Sequence, residues 1–196
     1  MRYTGNLDVQ KIWERFVRRA GLPVAYSQGF HPQARIQQAC PLPLGFLSIG
    51  EQLDLFLDDD NLTPPQIAAQ LASAPYPGIT ITDIHLVDLI SPSLASRLVS
   101  AEYRVEFLDP VIPSDLHEKV VAILTAPQLL RSRRDKSYDL RPLIERLEIE
   151  ADGAPVLCMQ LSARQSATGR PDEVVSSLGY DPFSARYTRT GLIFTS

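Results

Sequence analysis

Pro23-Val-Ala-Tyr-Ser-Gln-Gly-Phe-His-Pro-Gln-Ala-Arg-Ile-Gln-Gln-Ala-Cys-Pro-Leu-Pro-Leu-Gly45 reads as strand, turn, strand. Val24-Ala-Tyr26 is a short apolar strand. Residues 27–33 form the turn, where Gly29 permits backbone conformations that other residues avoid and Pro32 fixes a bend. A second strand begins near Arg35. Pro41 and Pro43 end it early or place it at a sheet edge. Ser27, Gln28, His31 and Arg35 crowd this one bend with polar groups.

Outward from the bend, the first half alternates strands and helices. Arg2-Tyr-Thr4 resembles the tail of a strand and is short for a first strand, which suggests a start further upstream. Asn6 stands at an N-cap position with Asp8 in the first helical turn. Val9, Ile12, Trp13, Phe16, Val17 and Ala20 recur at helical spacing and give one apolar face. Gly21 and Pro23 stop that helix. Leu53, Leu55 and Leu57 share one face of a half-buried strand. Thr63 caps a helix opened by Pro64, with Ile67 and Leu71 inward. Ile79-Thr-Ile-Thr-Asp-Ile-His-Leu-Val87 is rich in β-branched residues and reads as a strand with a bulge at Asp83.

A similar order follows a connector at residues 91–100. Glu102-Tyr-Arg-Val-Glu-Phe-Leu108 alternates as a strand, and Ser114 caps a helix carrying Leu116, Val120, Val121 and Leu124. Gln128-Leu-Leu-Arg-Ser-Arg-Arg134 is a strand. Asp139-Leu-Arg-Pro-Leu-Ile144 is a turn or short strand. Leu147-Glu-Ile-Glu150 and Pro155-Val-Leu-Cys-Met-Gln-Leu161 make a hairpin about Asp152-Gly153. Pro171 opens a last helix that ends at Gly179, and residues 185–194 are the final strand. The expected class is therefore α+β: two ferredoxin-like βαββαβ units with mixed, mainly antiparallel sheets backed by helices. Their expected bounds are residues 1–90 and 101–196, joined by 91–100.

Composition sets the outer limits. The 196 residues are 44% hydrophobic and 21% charged, which suits a globular core. The net charge of −4 supplies no overall basic field for nucleic acid, so binding of that kind needs a local patch. Cys40 and Cys158 stand in no metal-ligand spacing, and no metal or cofactor is expected. No stretch reaches the roughly 18 apolar residues of a membrane span, and residues 1–5 lack a signal-peptide core. A cytoplasmic protein is expected.

Three places could carry chemistry. The bend, with Ser27, Gln28, Gly29, His31 and Arg35, could grip an anion, a base or a phosphate. Its other reading is a loop whose polar groups satisfy their own backbone. The second is Arg131-Ser-Arg-Arg-Asp-Lys136 with Arg141 and Arg146, the densest basic run of the chain. Alternation puts Arg131 and Arg133 on one face and Arg134 and Lys136 on the other, unless the run is already a loop. It could contact phosphates or simply guard a sheet edge. Only Tyr138 is near enough to stack a base. The third is Thr168-Gly-Arg-Pro-Asp-Glu173, where Asp172 and Glu173 favour ordinary capping over anion binding. Phosphate-loop, dinucleotide, zincin and nucleophile-elbow motifs are absent, as is any three-cysteine cluster.

Several of these phrases resemble one family. Arg2-Tyr-Thr-Gly-Asn-Leu-Asp8, Arg18-Arg-Ala-Gly-Leu-Pro-Val-Ala-Tyr-Ser-Gln-Gly-Phe-His-Pro32, Pro41-Leu-Pro-Leu-Gly45, Asp139-Leu-Arg-Pro-Leu-Ile144 and Arg170-Pro-Asp-Glu173 are similar to the radical SAM-linked domain family of unknown function. The resemblance implies a B12-binding radical SAM protein as partner and an accessory or substrate-handling role, with RNA as a candidate ligand. It carries no catalytic residue. The chain departs from the family at Asn6, where histidine is usual, and at Arg133-Arg-Asp-Lys136, where the family loop reads arginine-lysine-glycine-lysine.

The leading expectation is a binding domain whose site holds Ser27, Gln28, Gly29, His31, Arg35, Arg131, Arg133 and Arg141. One alternative is a stand-alone RNA-processing or RNA-modifying enzyme with His31 as acid/base and Asp8 as its helper. The other is a protein-only adaptor.

Overall fold

The computed structural model describes residues 2–133, 136–150 and 153–195. The class is α+β, as expected. The elements run α1 (Asn6–Arg19), β1 (Ile36–Gln38), β2 (Leu47–Ser48), β3 (Leu53–Leu55), α2 (Pro64–Ser73), α3 (Leu94–Arg97), β4 (Leu98–Phe107), α4 (Pro113–Thr125), β5 (Leu130–Arg133), β6 (Lys136–Asp139), β7 (Ile144–Glu150), β8 (Val156–Arg164), β9 (Ala167–Thr168), α5 (Pro171–Ser177) and β10 (Ala185–Phe194). They divide into two compact units. The first holds Met1–Leu44 and Gln52–Leu94, and the second holds Gly45–Glu51 and Ala95–Ser196.

In the first unit, α1 lays Phe16 and Val17 into a core shared with Leu22, Val24, Ala34, Ile36, Ile67 and Leu71. These are the periodic positions of the two helices and the apolar positions of the short strands. Leu53, Leu55 and Leu57 pack against that core, as their alternation requires. β1 pairs antiparallel with β3, and single bridges join Val24 to Leu57 and Tyr26 to Ala34.

Four local expectations are corrected here. Arg2 and Tyr3 lie in a turn, not a strand. The helix cap is Gly5, whose carbonyl accepts from the N–H groups of Asp8 and Val9, so Asn6 is already helical. Ser114 lies inside α4, which opens at Pro113 behind Ile112. Residues 79–87 form no strand, because among the described residues no strand pairs with them; Ile79, Ile81 and Ile84 still pack against the core. Thr63, by contrast, heads α2 as expected, and its N–H donates to Gln66 Oε1 at 2.8 Å.

The second unit is built on one long sheet in the order β2-β10-β4-β8-β7. Along β10, β4, β8 and β7 each strand is antiparallel to its neighbour, so β4 runs parallel to β7 and β8 runs parallel to β10. α4 lies in the first of those connections and α5 in the second. Alternation sorts the faces. Ala101, Tyr103, Val105, Leu157, Met159, Leu161 and Tyr187 are buried, as are Leu116, Val120, Val174 and Val175 of the helices. The opposite face carries ion pairs, among them Arg146 to Glu102 at 2.7 Å and Arg104 to Glu150 at 2.6 Å. Asp152 of the expected β7–β8 turn lies outside the described residues.

The segment Gly45–Glu51 is a sheet edge of the second unit. Leu47 and Ser48 of β2 pair parallel with Thr188 and Arg189. Phe46 stacks on Tyr187, with ring centroids 4.5 Å apart and planes within 7°. Arg189 is wholly buried and meets Glu51 in a bidentate pair, Nε to Oε1 at 2.7 Å and Nη2 to Oε2 at 2.5 Å. Gly50 allows this close approach, since a Cβ there would lie 2.5 Å from the Thr190 carbonyl oxygen.

Candidate functional site

The bend of the first unit is a self-bonded exposed turn. Ser27 N–H donates to the Gln33 carbonyl at 2.8 Å, and Gln33 N–H donates to Ser27 Oγ at 2.9 Å. Ser27 is thereby engaged in holding the turn. Gly29, with φ 128°, takes a conformation that a side chain would strain. Gln28 and His31 are exposed, and among the described residues neither side chain makes a hydrogen bond. Phe30 stands fully exposed at the tip, which the sequence reading did not single out. Arg35 sits at the base. Its N–H donates to Ala25 O and its carbonyl accepts from Phe56 N–H, while its guanidinium lies 4.0 Å from the Phe56 ring centroid. Asp8 is exposed in the first turn of α1.

The basic run of the second unit folds as the β5–β6 hairpin. Arg131 stands opposite Tyr138, and Arg133 stands opposite Lys136. Directly opposed residues of an antiparallel pair share a face. Lys136 therefore lies with Arg133, not on the other side as strand alternation through a continuous run implied. Arg134 and Asp135, between them in sequence, lie outside the described residues.

The arginines differ in what they do. Arg131 donates from Nε to Glu173 Oε2 at 2.8 Å and from Nη2 to Ser176 Oγ at 2.9 Å, tying the hairpin to α5. Arg141 donates to the Leu124 carbonyl at 2.9 Å and the Ile144 carbonyl at 3.1 Å. It closes the C-terminal end of α4, where the dipole favours a cation. Arg133 and Lys136 make no ion pair among the described residues.

These two cations line a cleft of about 390 Å³ together with Tyr138, Ser166, Thr168 and Arg170. Two stretches singled out separately in the sequence thus meet in one place. Arg170 is held by Asp172 in a bidentate pair, at 3.0 and 2.7 Å, which keeps its guanidinium firmly charged. Partial burial and the Glu173 carboxylate push the Tyr138 phenol above its ordinary range, against the pull of Arg131, Arg133 and Arg170. It stays a neutral ring with a donor at its edge. Asp139 is turned inward to structure: its Oδ1 accepts from Leu129 N–H and Arg141 N–H. The cleft joins two cations without carboxylate partners among the described residues, one carboxylate-paired guanidinium, an aromatic ring and two hydroxyls.

Of the expected site residues, Ser27, Gln28, Gly29, His31 and Arg35 share the turn of the first unit. Arg133 lines the cleft of the second, and Arg131 and Arg141 serve its scaffold. Lys136, Tyr138, Thr168 and Arg170 were visible in the sequence, but only the folded chain brings them to one cleft. Among the described residues, no group of His, Cys, Asp and Glu side chains is placed to hold a metal ion. Nor is any described helix long and apolar enough to cross a membrane.

Fold and side chains define an α+β protein whose sequence-marked basic hairpin lines an open cleft. The chain belongs to a family of uncharacterized proteins conserved in bacteria (DUF2344), whose model matches residues 1–171. No curated protein matches it.

Proposed function

We propose that this protein is a binding domain for RNA or a nucleotide-like ligand, held at the β5–β6 cleft, and that it serves as an accessory to a radical SAM protein. The observation that carries the ligand reading is the pair Arg133–Lys136. Like charges placed directly opposite on a hairpin destabilise it, and an anion between them removes that cost. Tyr138 on the same face offers a ring for a base, and Ser166 and Thr168 offer hydroxyls to phosphate or ribose. No catalytic step is assigned to His31, which is exposed and lacks a hydrogen-bonded partner among the described residues. The radical SAM partnership is supported by the resemblance of the Tyr26–Pro32 and Asp139–Ile144 phrases. The finer fold reading, a ferredoxin-like unit, is supported for the second unit by its strand order.

Fluorescence anisotropy with a labelled single-stranded RNA tests the ligand reading. R133A/K136A should weaken binding and flatten the salt dependence by about 1.4 in log–log slope, from two phosphate contacts at about 0.7 each. Unchanged affinity and slope would reject the site. Co-purification from the native cell tests the partnership: recovery of the chain without a radical SAM protein, under conditions that preserve weak complexes, counts against it.

A further inference from the structure

One wall of the β5–β6 cleft is fixed by close packing. Gly169 N–H donates to the Ser162 carbonyl at 2.8 Å, and a Cβ at Gly169 would lie 3.1 Å from the Leu143 carbonyl oxygen. Only glycine lets the chain approach so closely, and it carries Thr168 and Arg170 on either side. Thr168 commits its hydroxyl proton to the Arg164 carbonyl at 2.9 Å, so its oxygen is left as an acceptor. Arg170 gives Nε and Nη2 to Asp172, while its Nη1 makes no hydrogen bond among the described residues. The Ser166 hydroxyl, also in the cleft, is uncommitted among the described residues as well.

Size and charge then decide between ligands. Small-molecule clefts run from about 300 to 1,000 Å³. At about 390 Å³ this one stands near the lower end. A fold that tracks a single strand covers about 4–16 nucleotides, with aromatic platforms for successive bases. Here Tyr138 is the one ring of the cleft, and the cations are gathered beside it rather than strung out. Lys136 is two residues from Tyr138 on the same strand face and directly opposite Arg133. Opposed side chains start about 4.5–5.5 Å apart, so both cationic ends can reach one phosphate. An internal phosphodiester brings a single charge and two free oxygens. A terminal phosphomonoester brings about −1.5 to −2 at pH 7 and three acceptor oxygens. It balances both cations and keeps an oxygen for Ser166 or Arg170 Nη1. Asp139 also lines the cleft, but its Oδ1 is engaged by the N–H groups of Leu129 and Arg141.

Resting on the ligand reading above, we infer that the cleft takes one nucleotide carrying a terminal phosphomonoester, rather than an internal stretch of polynucleotide. The phosphate lies between Arg133 and Lys136, the base against Tyr138, and a ribose hydroxyl donates to Thr168 Oγ1. A free mononucleotide and the phosphorylated end of an RNA share this chemistry.

The test uses the full chain and decamer RNAs labelled at one end, with a phosphate or a hydroxyl at the other, made in both polarities. Anisotropy reads RNA binding, and calorimetry reads AMP, adenosine and inorganic phosphate. A phosphate at the 5′ or the 3′ end should tighten RNA binding by about tenfold or more over the hydroxyl. AMP should bind where adenosine and inorganic phosphate do not, and R133A/K136A should remove both preferences with its dichroism unchanged. AMP binding without any preference for a phosphorylated end would also support the inference and name the free nucleotide as the source. Equal binding of phosphate- and hydroxyl-ended RNAs, with no binding of AMP, would overturn it; loss of that binding in R133A/K136A would leave the RNA reading standing. No binding of any RNA or of AMP would overturn both. A phosphate preference that survives in R133A/K136A, or inorganic phosphate bound as tightly as AMP, would overturn the inference too.

Discussion

Replacing Glu51 with alanine leaves the wholly buried Arg189 guanidinium without its carboxylate. Breaking a buried pair from one side costs about 3–5 kcal/mol. The Glu51 side chain is 34% exposed, so water screens part of the interaction and the expected loss falls to about 2–3 kcal/mol. At about 2–4 °C per kcal/mol for a chain of this length, the midpoint should drop by roughly 4–12 °C. E51Q keeps acceptor and shape and should lose less. R189M/E51M removes both charges and should be more stable than E51A, because the buried cation leaves together with its carboxylate. G50A should also destabilise, by forcing the segment off the Thr190 carbonyl. Urea unfolding followed by far-UV dichroism measures all four. A loss under about 0.5 kcal/mol for E51A would refute the reasoning, as would a double variant no more stable than E51A.

Four further outcomes follow from geometry. Arg141→Met removes donors from the Leu124 and Ile144 carbonyls and should cost about 1–2 kcal/mol in urea unfolding, without altering RNA affinity. Tyr138→Leu should weaken RNA binding by about 1–3 kcal/mol while Tyr138→Phe largely preserves it, as read by anisotropy. Burial first, then the Glu150 carboxylate, pushes the Cys158 thiol up to about 11, so its alkylation by iodoacetamide should stay slow at pH 8 and rise only as pH approaches that value. Partial burial pushes Glu145 upward, but hydrogen bonds from Ser100, Gln160 and Arg164 outweigh it and hold the carboxyl below its ordinary range. Its contribution is full above the unfolded value and fades as pH falls through the folded one, so E145Q should unfold less steeply between pH 5 and pH 3, followed by dichroism.

Local periodicity carried much of the fold. Phe16, Val17, Ile67 and Leu71 repeat at helical spacing, and each is buried. Leu116, Val120 and the alternation through Tyr103 and Val105 did the same for the second unit. Pairing was not legible, because it depends on what lies alongside. Residues 79–87 have strong β propensity, yet propensity supplies no partner strand. Leu47 and Ser48 are unremarkable in sequence, yet β10 recruits them. The same limit shaped the site. Arg131, Arg133 and Arg141 look alike as letters. Glu173 and Ser176 claim the first, the carbonyls of Leu124 and Ile144 claim the last, and only the hairpin register turns Arg133 toward Lys136.

The recruitment of Gly45–Glu51 into the second unit also sets an order of events. Glu51 and Arg189 are 138 positions apart. At ribosomal rates of about 5–20 residues per second, Glu51 is made roughly 7–28 s before its arginine. In that interval Phe46 has no Tyr187 to stack upon. The second unit's β2 edge therefore closes only when synthesis has reached β10, well over a hundred residues after β2 itself is made.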